Sequence, residues 1–238
     1  MVLAPMVRRT VRISIFALDQ FHMPITSENY KSLLDRLGSA VRLVAVSKTR
    51  PAEDVAALYG MGQRDFGENY VQELVDKQRG LPGDIRWHFI GHLQTNKVKA
   101  IIPFVHLIQG VDSFRLLKEI DKQAGLKNRV IDVLLQVHIA KEETKFGLDE
   151  AEVAEVMGQA GGLTNVRVRG MMGMGSNTGE AAVVREEFRG LKLLFDHHFP
   201  QDGILSMGMS GDYEMAIAEG SNMVRIGSLL FGERARKR

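Results

Sequence analysis

The sequence predicts an α/β fold, a single closed (β/α)8 TIM barrel, on three observations. Apolar runs of strand length alternate with segments of helical period about eight times along the chain. The first of those runs, Val44-Ala45-Val46, suits a strand packed on both faces, as parallel strands are. The length, 238 residues, matches the ~250 that one such barrel occupies. An open doubly wound sheet is the alternative, but eight units with no linker or sharp change of composition favour closure.

Each element follows from its own pattern. Tyr30, Leu33, Leu34 and Leu37 recur at helical spacing behind Thr26 or Ser27 as N-cap, so a helix precedes the first strand, which ends in LVAVSK (43–48). After Pro51, Val55, Leu58 and Met61 form a helical face that stops near Gly60 and Gly62. RDFGEN (64–69) is the second strand with its exit, and Val71, Leu74 and Val75 mark the next helix. Strand 86–92, helix 95–102, strand 106–112 and helix 114–124 continue the alternation. The fifth strand is 131–139, with a helix from about Asp149; the sixth is 166–175, with a long helix over about 180–197. The seventh is 203–210 with a short helix at 213–218, and MVRIG (223–227) is the eighth.

Composition narrows the function. Apolar residues make up 45% and charged residues 25% of the chain, enough for a sizeable core. With 31 Lys and Arg against 29 acids, the net charge of +2 is too small to make nucleic acid the main partner. The absence of cysteine excludes disulfides, thiolate nucleophiles and cysteine-ligated zinc, and fits a cytoplasmic protein. No run approaches the ~20 apolar residues that span a bilayer, so no membrane association is expected. Residues 1–22, with Arg8, Arg9 and Arg12 and no acid before Asp19, resemble a transit segment or an upstream start; they are read as an N-terminal extension outside a barrel of residues 23–238. The basic end RARKR (234–238) reads as a solvated tail.

In a barrel of this kind function lies at the C-terminal ends of the strands. Lys48, Asn69, His92, Asp112, Ser210 and Gly227-Ser228 occupy such ends, although loops are polar in any case. Apolar surroundings favour the neutral amine of Lys48, which would make it a carbonyl-attacking, Schiff-base lysine; the competing reading is a stem that packs and a head in solvent. Ser210-Gly211 and Gly227-Ser228 open the last two helical segments, and glycine-containing turns there can hold a phosphate. Structural glycines are the alternative. Arg225, two residues before Gly227, faces the same side of its strand, and if that side is interior the cation needs a partner or a ligand. His88 and His92 do not make a metal pair, because four residues of strand separate them by roughly 13 Å; His88 is read as a satisfied interior histidine and no metal site is expected. The methionines at 171, 172, 174, 207 and 209 are read as barrel filling. Lys145 is the second candidate amine.

Several ordered segments together resemble the pyridoxal phosphate homeostasis proteins, a family with the alanine racemase N-terminal barrel. They are VAVSKT (44–49), FGENYVQE (66–73), WHFIGHLQTNK (87–97), KEETKFG (141–147), LSMGMSGDYEMAI (205–217) and VRIGSLLFGER (224–234). The resemblance runs from about Ser27 to Arg234. It implies that Lys48 forms the Schiff base with pyridoxal 5'-phosphate (PLP), that Ser210, Gly227 and Ser228 hold its phosphate, that Arg225 faces the cofactor and that Asn69 lines the pocket. Two places depart from the family pattern: His138, where asparagine is common, and MGMGSNT (172–178). Both bear on the outer pocket.

The resemblance implies a non-catalytic carrier that keeps free PLP low and releases it to apoenzymes, with no catalytic residue assigned; the expected lack of a racemase partner domain makes a monomer the expectation. The alternative is a PLP-dependent amino-acid racemase, which needs a base on each face of the substrate. In alanine racemase the second base is a tyrosine of an added β domain from the partner subunit. The sequence given ends just after the eighth strand, so that domain is expected to be absent, and Tyr30, Tyr59, Tyr70 and Tyr213 have no evident claim to the role. A Schiff-base aldolase barrel would share the lysine without explaining the matched segments.

Overall fold

The computed structural model describes residues 26–142 and 146–232. The extension 1–22, Lys145 and the basic end 234–238 lie outside the described residues. Eight parallel strands close into a barrel in the order β1 to β8, with β8 paired to β1. They are β1 (Arg42–Val46), β2 (Asp65–Glu68), β3 (Arg86–Phe89), β4 (Leu107–Val111), β5 (Ile131–Val137), β6 (Val166–Gly173), β7 (Ile204–Ser206) and β8 (Met223–Ile226). The predicted fold class and strand order are those observed. Several strands are shorter at the C-terminal end than their apolar runs, so Lys48, His92, Asp112 and Ser210 stand in the loops just beyond.

Helix α1 (Ser27–Leu37) starts where Thr26 accepts the Asn29 N–H at 3.2 Å, the predicted cap. It buries Tyr30, Leu33 and Leu37. Helices α2 (Ala52–Gly60), α3 (Val71–Gly80), α4 (Val98–Ile101), α5 (Phe114–Gly125), α6 (Glu150–Ala160), α7 (Ala181–His198), α8 (Tyr213–Ala218) and α9 (Ser228–Phe231) follow the strands in turn. The α6 start is a capping box, Asp149 and Glu152 each bonding the other's backbone N–H.

Alternation along each strand divides the core into two layers. Phe66, Trp87, Phe89, Leu205 and Ile226 pack outward against the helices, each such side chain contributing ~1.5–3 kcal/mol by leaving water. Val44, Leu107, Leu134, Met172 and Met223 form a separate cluster inside the barrel. Gly170 makes that alternation work in β6. The β5–β6 register slips between Val133 and Leu134, opposite Gly170 at φ 153°, and a Cβ there would lie 2.0 Å from the Ile204 carbonyl oxygen. The slip turns Met172 inward after Val166 and Val168 have faced out. Of the methionines, Met171 and Met207 pack in the outer layer, and Met209 is 38% exposed, so barrel filling holds for Met172 with Met174 beside it.

Polar side chains also enter the interior. Asp65, His88, Gln109, Ser206 and Arg225 are all buried. His88 has both ring nitrogens partnered, Nε2 with Asp65 at 2.9 Å and Nδ1 with Gln109 at 3.0 Å, as a satisfied interior histidine should. His92, by contrast, stands outside, bonded to Asp112 and stacked on Phe146.

Candidate functional site

At the C-terminal mouth of the barrel lies a cavity of about 280 Å³. Lys48 and Asn69 line it from the exits of β1 and β2, and Ser210, Gly211, Arg225, Gly227 and Ser228 from the last two strands and their exits. All seven residues expected to hold the cofactor therefore line one cavity, whereas His92 and Asp112 do not.

The turn carrying Lys48 is tightly held. Arg50 N–H donates to the Ser47 carbonyl at 3.0 Å, and Thr49 sits at φ 64°, a left-handed conformation costly for a β-branched residue. A buried ionic network supports it. Lys77 of α3 donates to the Ser47 carbonyl at 2.7 Å, to Glu68 at 2.6 Å and to Glu73 at 2.7 Å. Ser47 Oγ donates to Glu68 at 2.7 Å, and the Thr49 N–H donates to Glu73 at 2.6 Å. Both neighbours of Lys48 are thus fixed by one cluster beneath the turn. Burial pushes the Glu68 carboxyl up, with the Lys77 ammonium and the Ser47 hydroxyl pulling against it.

Across the cavity two turns are joined directly. Ser210 and Gly211 are the central residues of a turn closed by Asp212 N–H to the Met209 carbonyl at 3.1 Å, and Asp212 Oδ1 accepts the Met209 N–H. The Gly227 N–H donates to Ser210 Oγ at 3.3 Å, so the turns after β7 and β8 form one wall.

Arg225 points inward, as expected if its side of β8 were interior. It is only 4% exposed, and it donates to the Ser206 carbonyl and hydroxyl at 2.8 and 2.7 Å and to the Gly173 carbonyl at 2.9 Å. Burial pushes it down to about 10, with Asp212 acting in the opposite sense, so it stays charged at neutral pH. On the β2 side, Asn69 Oδ1 is buried and accepts no hydrogen bond. An orphaned acceptor on a cavity wall is the mark of a missing donor. Gly91 lets the β3 exit pack there, since a Cβ would lie 2.4 Å from the Asn69 carbonyl oxygen.

Among the described residues the lining contains three cations, Lys48, Arg50 and Arg225, and no carboxylate. Such a cavity suits an anion with an apolar body: Val46, Ile90, Met174 and Met209 supply apolar wall. Arg50 was not singled out from the sequence. Its guanidinium donates to the Gly232 carbonyl and lies 5.8 Å from the centre of the Phe231 ring, joining the β1 turn to α9. Its place two residues after Lys48 was the available signal. His92 does not line the cavity but a neighbouring depression with Tyr70 and Lys97. His138 bonds the Glu142 carbonyl and stays off the wall, while the variant segment reaches it through Met174 and the Gly173 carbonyl.

The closed barrel and the lysine at the exit of its first strand define a class, the alanine racemase N-terminal domain, whose family model matches residues 25–235. Within it, the chain belongs to the pyridoxal phosphate homeostasis protein family. It is 41% identical over 215 residues to the pyridoxal phosphate homeostasis protein of Aquifex aeolicus, covering 87% of this chain and 94% of the relative. That of Escherichia coli (strain K12) is 39% identical over 206 residues, covering 82% and 86%. Among solved structures, PipY of Synechococcus elongatus with PLP bound superposes with a TM-score of 0.80 at 36% identity, covering 87% of this chain and 99% of PipY. An alanine racemase of Clostridium difficile shares the fold at 16% identity and a TM-score of 0.68, covering 88% of this chain and 56% of the racemase.

Proposed function

We propose that this protein binds PLP in the barrel-mouth cavity, holds it through a Schiff base on Lys48 and releases it to apoenzymes, as a carrier in PLP homeostasis. The observation that carries the reading is the cavity lining itself: a strand-one lysine, two arginines and, among the described residues, no carboxylate around joined glycine turns. The Lys48 amine condenses with the cofactor aldehyde and water leaves; the reverse step frees the cofactor, so capture and release use one bond. Ser210, Gly211, Gly227 and Ser228 hold the phosphate, Arg225 faces the cofactor, and Asn69 offers its unpartnered acceptor. The PLP bound in PipY supports the choice of ligand.

A non-catalytic role is supported by where the tyrosines lie. Tyr30, Tyr59 and Tyr213 donate to Gln63, Asp84 and Glu214, Tyr70 is 57% exposed, and none lines the cavity to serve as a second base. The carrier acts as a monomer in the cytoplasm, with residues 23–238 as its barrel and 1–22 as an extension.

Borohydride reduction of the PLP-loaded protein followed by peptide mass spectrometry tests the bond. The expected result is a stable adduct on Lys48 and a yellow protein whose colour is lost in Lys48→Ala. Modification of Lys145 alone, or a wild type that stays colourless with added PLP, would overturn the assignment. Mixing loaded protein with an apo-aminotransferase should restore its activity. Alanine racemisation at ~1 per second or faster would instead establish an enzyme.

A further inference from the structure

We propose that Ser206, Gln109, His88 and Asp65 form a chain of hydrogen bonds along the barrel axis that positions the Arg225 guanidinium in the cavity wall from the opposite end of the barrel. The proposal rests on the PLP reading only for what Arg225 finally meets.

The direction of every bond follows from the base of the chain. Arg86 donates to both oxygens of Asp65, through Nε at 2.8 Å and Nη2 at 2.5 Å, which holds that carboxylate ionised and in place. A carboxylate only accepts, so His88 Nε2, 2.9 Å away, must carry a proton. Burial disfavours the imidazolium, leaving Nδ1 as an acceptor. The group 3.0 Å from Nδ1 is then the Gln109 amide nitrogen, and Gln109 Oε1 faces the other way. That oxygen accepts from Ser206 Oγ at 2.7 Å, which turns a Ser206 lone pair toward Arg225 Nη1, also 2.7 Å away. Polarity is therefore passed from β2 through β3, β4 and β7 to β8 without a break.

The result is a cation aligned without a carboxylate partner of its own. A guanidinium has five N–H donors. Two hydrogen bonds to Ser206 and one to the Gly173 carbonyl engage three of them, leaving two for a ligand. Because those donors cannot accept, the cofactor must present an acceptor group to this part of the wall. The same chain explains why Asp65, His88 and His106, whose ligand atoms lie within 4.8 Å of one another, do not read as a metal centre: Asp65 and His88 already use theirs.

Nitrogen-15 NMR of the ligand-free protein tests the chain directly. His88 should appear as the neutral Nε2–H tautomer, and the Arg225 guanidinium protons should exchange slowly with water. Ser206→Ala and Gln109→Leu should each speed that exchange by roughly tenfold, the worth of a charge-assisted hydrogen bond, while Ser206→Thr, which keeps the hydroxyl, should not. Gln109→Glu keeps size and shape where Gln109→Leu fails to fold; it cannot donate to Nδ1 when ionised, and His88 should become doubly protonated at pH 7. In loaded protein, Ser206→Ala should release PLP roughly tenfold faster and shift its visible band. A proton on His88 Nδ1 alone, Arg225 exchange unchanged in folded Ser206→Ala, or a His88 that stays singly protonated in Gln109→Glu would overturn the proposal. A wild type that takes up no PLP would refute the cofactor reading, and the exchange rates would still decide for or against the chain.

Discussion

Two lysines flank the same turn and are set up for different chemistry. Lys77 is 7% exposed at its side chain and gives its ammonium protons to three oxygen acceptors, which leaves it nothing with which to attack a carbonyl. Lys48 lines the cavity, on the other side of the residues that Lys77 holds. Asn69 is the complementary case, a side chain whose bonding is incomplete in the protein alone. Removing an acceptor that bonds nothing costs the fold little. Asn69→Ala should therefore keep its ligand-free stability within ~1 kcal/mol by urea denaturation, while its PLP affinity falls roughly tenfold by absorbance titration. A loss of stability with unchanged affinity would mean that Asn69 serves packing alone.

The β1 turn is the element on which the site depends, and its strain is held by charges from α3. Lys77→Met leaves Glu68 buried with no counterion and should cost about 3–5 kcal/mol in urea denaturation. Adding Glu68→Gln should recover part of that loss, and a purely additive pair would dismiss the coupling. This element also marks the limit of what the sequence discloses. Lys48 was legible because a charged residue closing an apolar run is unusual. Lys77 was not, because in VQELVDKQRG it stands four residues after Glu73, like any exposed helical ion pair. Ser206 and Gln109 were equally silent: 97 positions separate them, and only closure brings them together. The strand order was legible in alternation, whereas the short strand ends were not, since apolar residues such as Ile90, Ile139 and Met207 continue past the ends of β3, β5 and β7. Gly170 gave no warning of the β6 slip, because an isolated glycine in a strand fits a bulge or a close approach equally well.

For the molecule as a whole, the interior polar chain makes acid the vulnerable direction. Burial holds the His88 imidazole below its ordinary value; for Asp65 burial acts in the other sense, but the Arg86 and His88 hydrogen bonds prevail and hold the carboxyl well below its usual range. For both groups the unfolded chain takes up a proton more readily than the folded one. His88's share of stability is complete above about pH 6.5 and declines below it, and that of Asp65 declines below about pH 4. Calorimetric melting should thus fall between pH 7 and 5, and His88→Asn should flatten that slope even where it lowers stability overall; an unaltered slope would assign it to other groups. Closure has a temporal consequence as well. The strands that seal the barrel are β1 and β8, the first and last made among the described residues, with Val44 beside Arg225 and Ala45 beside Ile226. A chain emerging from the ribosome has synthesised Lys48 long before the wall opposite it exists, so the pocket arises only when the final strand docks. A ligand spanning that seam would tie β1 to β8 and slow the departure of β8, making its capture a report that the barrel has closed.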